Sequence, residues 1–184
     1  MGNYHLIKKC SISDGIGCRV AVYLSGCKWH CKNCHNPMTW DKDSGKPFTK
    51  ETLKEIYNAL NHSHINGVTL TGGDPLNEAN LDTVRRIIDM VHSNTFAGGY
   101  KDIWLYTGYE YDNIKALKED HDQERLDIIK DLDVLVDGPF IEELRDVTYR
   151  YAGSTNQKVI DIKRMKLFDM DEYCMRSDKD GKSN

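Results

Sequence analysis

Three cysteines lie close together in the chain, at Cys27, Cys31 and Cys34, in a Cys-x3-Cys-x2-Cys arrangement. Thiolates are soft ligands that suit iron–sulfur clusters, zinc or copper(I). A cubane cluster has four irons, and this segment supplies three thiolates, so one iron would stay open to a substrate. The spacing therefore favours a [4Fe–4S] cluster held by one short loop.

Two other kinds of metal centre fit part of the same segment. A structural zinc site takes four ligands, and His30 or His35 would complete a set with the three cysteines. The run Cys31 to His35 also fits the Cys-x-x-Cys-His pattern of c-type haem attachment, which leaves Cys27 unexplained. Three thiols without a metal are disfavoured because thiols crowded into a loop are prone to oxidation. The order of preference is cluster, zinc, haem.

The other cysteines, Cys10, Cys18 and Cys174, have no ligand spacing. We expect free thiols at these positions, because disulfides are rare in a reducing cytosol. A cytosolic location is expected because the N-terminus does not resemble a signal peptide and no apolar run approaches the roughly 18 residues of a membrane span. The net charge of −4 gives nucleic-acid binding no support.

The segments around the cysteine loop alternate between strand-like and helix-like patterns. Short apolar runs predict strands, and apolar residues spaced three and four apart predict helices. The alternation predicts an α/β fold with a mostly parallel sheet, in one domain over residues 1–170 with a polar tail at 171–184. Thr49 and Asn80 are the expected N-caps of the first two helices. We expect strands at 19–24, 67–71, 103–107, 133–137 and 158–162, and helices at 49–60, 81–91 and 112–130, the last in one or two pieces.

Four of these strands end in glycine-containing motifs, and ligands of α/β proteins bind at the carboxyl ends of strands. Paired glycines such as Gly72 and Gly73 allow close approach of the backbone to a ligand, although Gly-Gly-Asp-Pro alone is also an ordinary turn. The motifs at Thr107-Gly108 and Asp137-Gly138 fit a turn as well as a ligand contact. Residues 156–157 are expected to form an ordinary loop rather than part of the cleft.

The run from Gly26 to Trp40 resembles the radical-SAM superfamily and, within it, the glycyl-radical-enzyme activases, most of all the small activases of anaerobic ribonucleotide reductases. The segments 136–140 and 153–161 resemble the same group, and the similarity covers roughly residues 14–162. The resemblance implies a partial, incomplete β/α barrel. It also implies an enzyme that uses a [4Fe–4S] cluster and S-adenosylmethionine (SAM) as cofactors.

The same resemblance assigns roles to individual positions. Cys27, Cys31 and Cys34 would hold the cluster, and the segment Gly72-Gly73-Asp74 would hydrogen-bond the methionine amino group of SAM. Many relatives have an aromatic residue where this chain has Asn33, which we interpret as a turn residue that tolerates a left-handed backbone. The residues expected to contact SAM are Asn33, Cys34, His35, Gly72, Gly73 and Asp74.

The implied reaction is the reductive cleavage of SAM followed by formation of a glycyl radical on the large subunit of an anaerobic ribonucleotide reductase. A flavodoxin or ferredoxin would supply the electron. Four alternatives stay open at this point: a pyruvate formate-lyase-type activase, another radical-SAM enzyme acting on a small molecule, a zinc-binding module and a ferredoxin-like electron carrier. The carrier is disfavoured because no fourth cysteine lies at cluster spacing.

Overall fold

The computed structural model describes residues 1–167, which form an α/β fold around one eight-stranded sheet. The predicted polar tail and Cys174 lie outside the described residues. The strand order across the sheet is β3-β1-β2-β4-β5-β6-β7-β8. The strands are β1 Asn3–Ser11, β2 Cys18–Leu24, β3 Lys46–Pro47, β4 Ile65–Gly72, β5 Asp102–Tyr106, β6 Val134–Asp137, β7 Lys158–Asp161 and β8 Lys166–Leu167.

The centre of the sheet is parallel and its two margins are antiparallel. Strands β2, β4, β5 and β6 pair in parallel, so their carboxyl ends meet at one edge. Strands β1 and β3 extend one margin and β7 and β8 extend the other, all by antiparallel pairing. The α/β class and the parallel centre confirm the prediction. Within residues 1–167 no pairing joins β3 to β8, so the sheet is open.

The four central strands are buried on both faces, which explains why their sequences are nearly continuous apolar runs. One face is covered by helices that present stripes of apolar side chains to the sheet. Helix α1 begins after Thr49, whose hydroxyl accepts a hydrogen bond from the backbone N–H of Thr52 at 3.3 Å, so the predicted N-cap is confirmed. The helices are α1 Lys50–Leu60, α2 Leu81–His92, α3 Tyr111–Lys115 and α4 Asp122–Lys130. None of these four is long and apolar enough to cross a membrane.

The amino-terminal end of the sheet's other face is filled by the buried side chain of Arg19. Its Nε donates to Thr69 Oγ1 at 2.8 Å, its Nη2 forms an ion pair with Asp102, and its guanidinium lies over the Trp104 ring. A buried cation needs such partners, since an unpaired one would be strongly destabilising. These contacts occupy the amino-terminal end, and the open cleft lies at the carboxyl end of the strands.

Two expectations about individual side chains are wrong. Asn80 occupies the position before α2, but its side chain forms no cap and instead donates to the carbonyl oxygens of Ser25 at 2.8 Å and Asp74 at 2.9 Å. Cys10 and Cys18 are not free thiols: they form a disulfide between β1 and β2. Antiparallel pairing places the end of β1 beside the start of β2, and this proximity overrides the expectation drawn from the cellular compartment.

Candidate metal centre

The three clustered cysteines line a single cleft of about 250 Å³ at the carboxyl edge of the parallel strands. Each of the three is partly buried and free of any disulfide. The cleft brings together every residue that the sequence assigned to the cluster and to SAM: Cys27, Cys31, Asn33, Cys34, His35, Gly72, Gly73 and Asp74. Further lining residues include Trp29, Tyr106, Thr107, Gly108, Phe140 and Gln157.

The cysteine loop is a tight turn with two residues in the left-handed region. Asn33 has a φ of 59°, as predicted from its tolerance of that conformation, and His30 has a φ of 46°, which the sequence did not indicate. The backbone N–H of Cys27 donates to the carbonyl oxygen of Trp40 at 2.9 Å, which fixes the start of the loop against its end. The loop can therefore bring three thiols to one cleft.

The thiols of Cys27 and Cys31 lie in surroundings that disfavour their charged forms. Burial raises the pKa of the Cys27 thiol to about 11, and hydrogen bonds from the backbone of Trp29 and His30 oppose that rise. Burial also raises the pKa of Cys31, opposed by a hydrogen bond from the backbone of Phe140. Cluster ligands must be thiolates, so loading this site releases protons and is favoured by rising pH.

The paired glycines bring two walls of the cleft together. A Cβ atom on Gly72, whose φ is 102°, would lie 2.6 Å from Tyr23 Cα, and one on Gly73 would lie 2.6 Å from the carbonyl oxygen of Gly26. Side chains at these positions would collide with the backbone at the end of β2. The glycine pair is therefore required by the junction between β4 and the cysteine loop, whether or not a ligand is present.

Asp74 follows the glycines and is almost completely enclosed, with 1% of its surface exposed. Burial raises the pKa of its carboxyl group, and hydrogen bonds from Thr107 and Trp29 oppose the rise. The sequence did not single out Trp29 as a site residue. Its position between Cys27 and Cys31 could have indicated a role, because a large apolar ring is unusual in a loop of metal ligands.

The far wall of the cleft is formed by the segments that follow β6 and precede β7. The carboxylate of Asp137 accepts hydrogen bonds from the backbone of Tyr111 at 2.9 Å and of Lys158 at 3.1 Å. Gln157 Nε2 donates to the carbonyl oxygen of Gly138 at 2.8 Å, and Gln157, expected in an ordinary loop, in fact lines the cleft. The sequence could not predict this contact, because no local pattern indicates that residue 157 lies beside residue 138.

The two histidines considered as zinc ligands have different surroundings. Both are exposed, but His30 stacks on Trp40 with ring centroids 4.6 Å apart, whereas His35 borders the cleft. Across residues 1–167, no group of three or more Cys, His, Asp or Glu side chains is arranged to hold one metal ion. The choice between a cluster and a single ion accordingly rests on comparison with other proteins.

The comparisons identify the class first. The family model for the 4Fe–4S single cluster domain matches residues 13–160. The donor set fits such a group, because three partly buried thiols line one cleft and thiolates are the usual ligands of iron–sulfur clusters.

Proteins named anaerobic ribonucleoside-triphosphate reductase-activating protein are similar over most of their length. That of Enterobacteria phage T4 is 36% identical, covering 85% of this chain and 92% of the relative. That of Escherichia coli K12 is 35% identical, covering 85% and 97%, and that of Vibrio cholerae is 36% identical, covering 85% and 96%. The chain belongs to the family of anaerobic ribonucleoside-triphosphate reductase-activating proteins.

Proposed function

We propose that this chain is a radical-SAM activase that cleaves SAM reductively with a [4Fe–4S] cluster and generates a glycyl radical on an anaerobic ribonucleotide reductase. One observation carries the proposal: three thiols and the glycine pair, far apart in sequence, line the same cleft in a chain of this family. The open sheet, which fits an incomplete barrel, leaves that cleft accessible to a protein substrate.

The cysteines and their neighbours have distinct tasks in this proposal. Cys27, Cys31 and Cys34 would hold the cluster as thiolates, and the left-handed turn at Asn33 lets the loop bring the three thiols to one cleft. A cluster bound there would supply the electron for the reductive cleavage of SAM, and that cleavage would lead to a glycyl radical on the partner.

We assign the two ends of SAM to two different walls of the cleft. The segment Asn33-Cys34-His35 lies on the wall formed by the cysteine loop, and we assign it to the nucleoside end of SAM. The backbone of Gly72 and Gly73 lies at the end of β4, and we assign it to the methionine end. Tyr106 and Phe140 provide apolar lining that excludes water from the reacting atoms.

The names of the relatives support the choice of the reductase as partner, and the electron donor is proposed from the resemblance to radical-SAM activases. The substrate proposed is the large subunit of an anaerobic ribonucleotide reductase, which carries the glycine, and the electron donor proposed is a flavodoxin or ferredoxin. A cytosolic setting is part of the same proposal. A pyruvate formate-lyase-type activase is the less favoured assignment because the relatives above are named for the reductase.

The test is an anaerobic assay on the full chain. The protein is reconstituted with iron and sulfide, reduced and mixed with SAM, and 5′-deoxyadenosine and methionine are measured with and without the reductase. We expect both products, together with an electron paramagnetic resonance (EPR) doublet of the glycyl radical when the reductase is present. Cys31→Ala should reduce the products to background.

The matched control is Cys10→Ser/Cys18→Ser, which removes two cysteines outside the cleft and should keep the wild-type product yield. An intact, reducible cluster that gives no product even with the reductase would contradict the proposal. Zinc in place of iron and sulfide after anaerobic purification would favour the zinc-binding module instead.

A further inference from the structure

The carboxylate of Asp74 is saturated by hydrogen bonds from the protein itself. Its Oδ1 accepts from the backbone N–H of Leu76 at 2.9 Å and from Thr107 Oγ1 at 2.8 Å. Its Oδ2 accepts from Trp29 Nε1 at 2.6 Å and from the backbone N–H of Gly108 at 3.1 Å. A carboxylate offers about four lone-pair directions, so these four donors use its whole accepting capacity.

A ligand ammonium group would need a free lone pair on this carboxylate, and the four donors leave none. Resting on the function proposed above, we propose that Asp74 is a positioning residue: it holds the indole of Trp29, and through it the cysteine loop, and does not contact SAM. The methionine end of the ligand is then left to the backbone of Gly72 and Gly73.

Trp29 is suited to transmit this restraint because it is fixed at both ends. Its ring donates to Asp74 and packs edge-on against Tyr109, with centroids 5.2 Å apart and an interplanar angle of 87°. Its backbone belongs to the cysteine loop, two positions after Cys27 and two before Cys31. A shift of the indole therefore shifts the loop that carries the cluster ligands, and outer partners that orient ligands help to set a cluster's reduction potential.

The indole of Trp29 is tightly packed on both sides. A Cβ atom on Gly108 would lie 2.4 Å from Trp29 Cδ1, so the ring rests directly on that backbone. On the other side, the buried Arg125 donates from Nη2 to the hydroxyl of Tyr109 at 2.8 Å and from Nε to the carbonyl oxygen of Leu76 at 3.0 Å. Helix α4 thus fixes the tyrosine on which the indole packs.

The resulting chain of contacts joins three strand ends. Asp74 follows β4, and its carboxylate binds Thr107, which follows β5 and is 33 positions away in the sequence. The same carboxylate binds Trp29 in the cysteine loop after β2, at a separation of 45 positions. An outer partner of this kind orients metal ligands, and its loss typically costs about 10- to 100-fold in metal affinity or activity.

The experiment compares Asp74→Asn, Trp29→Phe and the double variant with wild type, all as full-length chains loaded with a cluster. The EPR spectrum and the reduction potential of the cluster are recorded before SAM is added, and SAM affinity is then measured by equilibrium dialysis. Trp29→Phe keeps the carboxylate of Asp74 and an aromatic ring at position 29, and it removes the indole N–H together with the five-membered ring. It therefore decides the question even if Asp74→Asn does not fold.

If Asp74 acts through Trp29, both single variants change the EPR spectrum and the reduction potential without SAM, and in the same direction. The double variant then shows no larger change than Asp74→Asn alone, because the two residues belong to one contact. SAM affinity falls in all three variants by about 10-fold or more, which is the usual effect of removing an outer partner of a metal ligand.

The matched control is Trp40→Phe, which also removes an indole N–H at the edge of the cysteine loop. Among the described residues, Trp40 Nε1 has no hydrogen-bond partner, so this variant should keep the wild-type spectrum. A wild-type spectrum and potential in Trp29→Phe, with only SAM affinity lowered in Asp74→Asn, would overturn the proposal and make Asp74 a ligand contact. A wild-type protein without a cluster or without SAM binding would instead contradict the proposed function.

Discussion

Single residues in the cysteine loop show what side-chain and backbone preferences can and cannot predict. Asn33 was expected to be left-handed and is, because asparagine tolerates that region better than most residues. His30 is left-handed as well, and no propensity predicts it. Its conformation results from closing the loop between Cys27 and Cys31 and from stacking on Trp40.

At the residue scale we predict that Gly108→Ala destabilises the chain through Trp29. The added Cβ would lie 2.4 Å from the indole, and overpacking of this kind costs about 1–3 kcal/mol. The measurement is urea unfolding of the cluster-free protein. In a Trp29→Ala background the same substitution should cost much less, since the ring that it strikes is gone. An equal cost in both backgrounds would show that the ring does not cause the effect.

At the level of elements, the predicted strands and helices form where the periodicity placed them, with boundaries shifted by one or two residues. The pattern did not reveal β1, whose residues are mostly half-buried and include polar and charged side chains. Nor did it give the direction of β7. The connection from β6 to β7 contains no α-helix, so the chain returns antiparallel instead of crossing over to pair in parallel.

The β1–β2 hairpin supplies a prediction about oxidation state. Cys10 and Cys18 are eight positions apart, and a disulfide closing a loop of that length is expected to stabilise the folded chain by about 2.5 kcal/mol. Urea unfolding without reductant should therefore show a higher free energy of unfolding than unfolding with dithiothreitol. The Cys10→Ser/Cys18→Ser variant should show no such response. A reductant-independent wild type would mean that the pair is not formed in solution.

For the molecule as a whole, stability depends on ionisable groups buried between strands. Asp133 is 2% exposed and accepts hydrogen bonds from Tyr100 Oη and from the backbone N–H of Ile103, both at 2.8 Å. Burial raises the pKa of its carboxyl group above that of the unfolded chain. Its contribution to stability is therefore full below the unfolded pKa of about 3.9 and is lost as pH rises through the higher folded value.

We expect Asp133→Asn to lose this pH dependence. The stability of the variant relative to wild type should improve as pH rises from about 4 to 7, because wild type then buries a charge and the amide does not. Urea unfolding of the cluster-free chains at several pH values measures this difference. Asp127→Asn is the control and should show a constant difference over this range, because a hydrogen bond from Lys130 lowers the pKa of Asp127 and its contribution to stability then changes only at lower pH. A constant difference for Asp133→Asn would contradict the assignment.

Sequence alone determined those features that depend on neighbours in the chain. The Cys27-x3-Cys31-x2-Cys34 spacing indicated the cluster site, and hydrophobic periodicity indicated the alternating strands and helices. From these follow the α/β class and the meeting of the site residues at the carboxyl edge of parallel strands, which the structure confirms. The cysteine spacing and the hydrophobic periodicity are both local patterns, and each involves several residues close together in the chain.

The tertiary structure alone decided which partners distant residues find. Trp29 and Asp74 are 45 positions apart, and nothing in either segment indicates their hydrogen bond. The return of Gln157 to Gly138, the pairing of Cys10 with Cys18 and the failure of Asn80 to cap α2 are of the same kind. A polar side chain takes the partner that the fold brings within about 3 Å, and that choice depends on how the whole chain packs.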